Sequence, residues 1–71
     1  MLFDGKLLQA KRKEAGLSQR DVARLVKQYY GVSISVMSIH NHEHGIRQPR
    51  LPILRAYSRL FGVTMDYFTQ E

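Results

Sequence analysis

Four glycines, at positions 16, 31, 45 and 62, punctuate this chain at intervals of 14 to 17 residues. Each follows a stretch that reads as a helix, and glycine is the residue that most readily takes the left-handed backbone in which helices end. A chain divided in this way can build only short helices. With 71 residues and no cysteine, it has neither a disulfide framework nor a thiolate metal site. It buries only roughly 60% of the surface that its unfolded form exposes. The arrangement left open is all-α: short helices packed on one another in one domain over residues 1–71, without room for a deep substrate cavity.

In FDGKLLQAKRKEAG, Phe3, Leu7, Leu8 and Ala15 mark a first helix that Gly16 closes. In LSQRDVARLVKQYYG, Ser18 followed by Asp21 is a capping-box-like start. Val22, Ala23, Leu25 and Val26 form the apolar face of this second helix, Tyr29 and Tyr30 extend it, and Gly31 stops it. VSISVMSI alternates like a strand, but a lone strand in a helical chain has no partner. The reading adopted is a third helix, N-capped by Ser35 and running to about His44, with Ile39 toward the core. IRQPR is a loop. LPILRAYSRLFG makes a fourth helix, with Pro52 in its first turn and a stripe of Leu51, Leu54, Tyr57, Leu60 and Phe61. Thr64 opens a short fifth helix, in which Met65, Tyr67 and Phe68 either close the core or form a dimer contact. No apolar run approaches the ~20 residues that cross a bilayer. The first residues lack the apolar core of a secretory signal, so the expected location is cytoplasmic.

Eleven Lys and Arg stand against six Asp and Glu, for a net charge of +5. Polyanions are the obvious partners, nucleic acid first. No Ser-His-Asp set, glycine-rich phosphate loop or paired carboxylate stands out, which argues against an enzyme, and no cofactor is expected. HNHEHG at 40–45 has to be read as part of a helix. His40 and His44 then lie one turn apart on one face, while His42 turns toward the core. An i, i+4 histidine pair could chelate zinc. Without cysteine or a third ligand at suitable spacing, no metal site is expected.

Arg12, GLSQ at 16–19, Val22-Ala23, Ser35, Ile39, the E-x-G at 43–45, Pro49 and FGVT at 61–64 form an ordered set over about residues 5–68. This set resembles the phage-repressor-like helix-turn-helix family, the lambda-type and xenobiotic-response-element-type regulators. One departure is the run from Ser18 to Glu43, 25 positions, because KQYYGVS lengthens the joint between helices two and three. In that respect the chain is similar to the POU-specific domain. The insertion leaves the fold intact and makes the angle of the recognition helix the open variable.

The resemblance implies a compact five-helix, lambda-repressor-like domain with its helix-turn-helix in helices two and three. Helix three would read the major groove of double-stranded DNA. Ala23 would allow the two helices to cross closely. Gln19 would contact a phosphate and brace the recognition helix, and Arg12 with Glu43 would form a buried ion pair. The positions that match the family's base readers are Val36, Met37, His40 and Asn41. Asn41 suits adenine, and the two apolar side chains suit thymine methyl groups. Ser35, Ser38, His44, Arg47, Gln48 and Arg50 would lie along the phosphates. A transcriptional regulator, expected to be a repressor and a homodimer on DNA, is the leading reading. A module that binds a protein partner, or an antitoxin, is the alternative, favoured by the apolar Val36–Met37 surface.

Overall fold

The computed structural model describes residues 2–70. Four α-helices carry the architecture: α1 (Gly5–Glu14), α2 (Gln19–Tyr30), α3 (Val36–Glu43) and α4 (Leu51–Phe61). Two short strands, β1 (Leu2–Phe3) and β2 (Thr69–Gln70), pair antiparallel, with Leu2 opposite Gln70 and Phe3 opposite Thr69. Among the described residues, no helix is long and apolar enough to cross a membrane.

The helix starts follow their caps. Asp4 accepts from the Lys6 N–H at 3.0 Å and opens α1. Ser18 and Asp21 form a complete capping box on α2, each side chain accepting from the other's backbone N–H. Ser35 accepts from the Ser38 N–H at 3.0 Å and opens α3. The segment VSISVMSI is therefore not a strand: α3 begins inside it, after an extended approach. Gly31 and Gly62 take positive φ at the ends of α2 and α4.

Three expectations need correction. The fifth helix is a single 3-10 turn, Met65–Phe68, so the described residues form four α-helices rather than five. The chain is drawn out of helical geometry there because the Phe68 carbonyl accepts from the Asp4 N–H at 2.6 Å and the next residues join β1. Phe3 belongs to that ribbon and not to the first helix. Leu51, expected on the apolar stripe of α4, is exposed, whereas Ala56, Tyr57 and Ser58 are the buried residues of that helix. Ser58 is tolerated inside because its hydroxyl donates to the Arg55 carbonyl at 2.8 Å.

The core consists of Phe3, Leu8, Val22, Val26, Ile39, Ala56, Tyr57 and Phe68. Phe68 is fully buried and so closes the core, while Met65 is half-buried. Tyr67 carries the Lys11 ammonium 5.3 Å from its ring centroid, which ties the 3-10 turn to α1. A close approach that the sequence reading lacks is made by Gly5. A methyl group there would overlap the carbonyl oxygens of His42 and Glu43, so α1 starts hard against the end of α3.

Candidate nucleic-acid interface

Two side-chain networks hold α3 in place. In the first, Arg12 reaches from α1 to the last residue of α3. Its Nε donates to Glu43 Oε2 at 2.6 Å and its Nη2 to Oε1 at 3.1 Å, a bidentate fork. Its Nη1 donates to the Leu17 carbonyl at 2.9 Å. Gln19, the first residue of α2, donates from Nε2 to Glu43 Oε1 at 3.1 Å. The Glu43 side chain has no exposed surface and that of Arg12 is 12% exposed. The hydrogen bond to Glu43 raises the Arg12 pKa above its ordinary value, against the opposing effect of partial burial. One carboxylate thus gathers α1, α2 and α3.

In the second network, His42 Nδ1 lies 2.7 Å from the Tyr57 hydroxyl, a buried hydrogen bond between α3 and α4. The Phe3 ring stands edge-on to His42 at 6.4 Å and packs against Phe68 at 5.7 Å. Burial pushes the His42 pKa below its ordinary value, and burial, helped by the Glu43 charge, pushes the Tyr57 phenol far above its own. Both partners are held neutral near pH 7.

The opposite side of α3 is open. Met37 is 65% exposed and Val36 39%. His40 and Asn41 are half-buried, and the rings of His40 and His44 stack at 4.3 Å between centroids. The Ser35 hydroxyl donates to Ser38 Oγ at 3.0 Å, so these two side chains engage each other. Beyond α3, the Ile46 N–H donates to the Asn41 carbonyl at 2.9 Å and turns the chain into the loop. Arg47 and Arg50 are exposed, and their guanidinium groups have no hydrogen-bond or ion-pair partner among the described residues. Gln48, between them, is engaged elsewhere: its Oε1 accepts from the Phe3 N–H at 2.8 Å. No signal in the local sequence connects these two residues.

The open face of α3 and the basic loop therefore adjoin one another, with Val36, Met37, His40, Asn41 and His44 on the helix or its cap and Arg47 and Arg50 just after it. Among the described residues, no three His, Asp or Glu side chains converge on a point that could hold a metal ion. An open groove of about 540 Å³ lies between β1, the start of α1 and the end of α3, lined by Leu2, Phe3, Lys6, Gln9 and His44 among others. It is a surface trough. Residues 8–68 match the family model described as Helix-turn-helix. No curated protein and no solved structure matches the chain.

Proposed function

We propose, from the premise that this chain belongs to the lambda-repressor-type helix-turn-helix family, that it is a sequence-specific regulator of transcription, a repressor, which reads double-stranded DNA with α3. The observation that carries the reading is the contrast between the two sides of that helix. Its inner side is held through Glu43 and His42 to three other helices. Its outer side presents Val36 and Met37 to solvent beside two arginines whose guanidinium groups have no partner among the described residues. A rigid reader flanked by cations is what groove recognition requires. Asn41 offers adenine a donor and an acceptor, and Val36 and Met37 offer thymine methyl groups an apolar contact. Ser38, His44, Arg47, Gln48 and Arg50 lie toward the phosphates. Gln19, with the free N–H groups of the first turn of α2, and Ser35 complete the backbone contacts.

The test is selection of bound duplexes from a randomised pool, followed by titration of the selected site at several salt concentrations. An enriched palindrome is expected, bound by two copies of the chain with half-sites about one helical turn apart. With roughly four to six phosphates neutralised per copy, the log–log salt slope is expected to be about −4 to −5. A flat salt response would sink the proposal. The exposure of Met37 at 65%, Ile46 at 64% and Leu51 at 55% favours a second reading, in which the same face docks a protein partner, as an antitoxin would. Failure to enrich any duplex, together with poor retention on heparin, would select it.

A further inference from the structure

We infer that Gln48 is a positioning residue of this interface: its side chain moors the loop after α3 to the terminal strand and so sets where Arg47 and Arg50 meet phosphate. The inference rests on the DNA-binding reading above.

In an antiparallel pair, successive residues direct their N–H groups alternately toward and away from the partner strand. The Asp4 N–H goes to the Phe68 carbonyl. The Phe3 N–H, one residue earlier, therefore faces away from β2, at the outer edge of the ribbon. Among the described residues, no backbone carbonyl meets it there. Gln48 Oε1 takes its place as acceptor, at 2.8 Å and across 45 positions of chain. A side chain thus does for this edge what a third strand would do.

Among the described residues, the other hydrogen bonds of the loop lie at its ends. At its start, Ile46 and Arg47 donate to the Asn41 carbonyl at 2.9 and 3.4 Å. At its close, the Arg50 carbonyl accepts from Ile53 and Leu54 at 3.0 and 2.9 Å, while the Arg50 side chain makes no cap. Gln48 is the anchor in the middle, one residue from Arg47 and two from Arg50. The contact also settles the orientation of the carboxamide. With its oxygen committed to Phe3, its two Nε2 N–H donors are left on the other branch of the amide, and the residue is exposed. The terminal strand, which carries no charge of its own at Leu2 or Phe3, thereby shapes a cationic loop distant in sequence.

The variant Gln48→Met keeps length and charge and removes both acceptor and donors. A neutral phosphate contact displaces no counterion, so a Gln48 that only touched phosphate would lower affinity and leave the salt slope where it was. A positioning role makes the slope shallower by about 1 to 2, as the two arginines lose their ordered phosphate contacts. In the free protein, the Phe3 amide should exchange with solvent faster in Gln48→Met than in wild type. In Gln48→Glu, which retains the acceptor oxygen, slow exchange should return. Unchanged Phe3 exchange in a folded Gln48→Met would overturn the mooring, and faster exchange with an unchanged salt slope would overturn the positioning role. A wild-type chain that binds no duplex would instead overturn the DNA-binding reading. The two failures stay distinct because the exchange experiment contains no DNA.

Discussion

A carboxylate with no exposed surface needs donors in place of water, and Glu43 receives two from Arg12 and one from Gln19. Glu43→Ala leaves the guanidinium and the carboxamide facing a gap inside the protein. The expected loss is about 3–5 kcal/mol, since breaking a buried pair strands the surviving charge. For a domain of this size that lowers Tm by more than about 12 °C, and an unchanged melting curve would refute the account. Gly5 supplies a prediction in which two effects oppose. Alanine is the better helix former by at most about 1 kcal/mol. A methyl group at this position meets the backbone of His42 and Glu43, which cannot swing aside as a side chain would. Overpacking of that kind costs about 1–3 kcal/mol, so Gly5→Ala should melt lower, and a higher Tm would show that the helices can part. The difference between these residues explains what sequence can reveal at this scale. Arg12 and Glu43 have charged side chains at positions a family pattern marks. The requirement at Gly5 comes from carbonyl oxygens on another helix, and no local pattern encodes it.

Among the elements, α3 depends most on its ends. With eight residues it is far below the length at which an isolated helix is stable. Ser35 both caps its first turn and engages Ser38. Ser35→Ala should cost about 1 kcal/mol and speed amide exchange at Ser38 ahead of the rest of the domain. Exchange as slow as in wild type would mean that packing alone holds the first turn. Caps and terminal glycines also made the four helices legible. At VSISVMSI the alternation favoured a strand, and the cap at Ser35 with the want of a strand partner decided correctly for a helix. The ribbon was beyond such reasoning. Two residues per strand are too few to show a period, and the partners lie at opposite ends of the sequence. The same ribbon is why a fifth helix was expected and a 3-10 turn found: the pull of β1 on the segment after Phe68 has no local trace.

For the molecule as a whole, acid should act through His42 first. Burial lowers its folded-state pKa, whereas the unfolded chain takes up a proton near the ordinary 6.5. The contribution of the neutral imidazole is therefore complete above pH 6.5 and declines as pH falls from there toward the folded-state value. Asp21, whose pKa is lowered chiefly by the Ser18 backbone N–H, contributes fully above 3.8 and loses its share only below that. The two windows are separate. Tm should fall as the pH drops below 6.5. The fall should weaken in His42→Gln, whose carboxamide can also hydrogen-bond the Tyr57 hydroxyl but has no charge to gain. Parallel curves for the two proteins would assign the acid response to other groups.

Because Leu2 and Gln70 lie side by side, the path from one to the other through the described residues is nearly a closed ring. A linker of about two to five residues, the length of a hairpin turn, could join them. The ring could then be reopened in the α2–α3 joint, between the exposed residues Gly31 and Ser33. Such a circular permutant would carry α3 at its beginning and α2 at its end, no longer in covalent succession. If Glu43, Arg12 and Gln19 set the angle between those helices, as their hydrogen bonds imply, the permutant should fold with the helices crossing as before. The peptide between them would then be a tether of convenience, and its length free to vary.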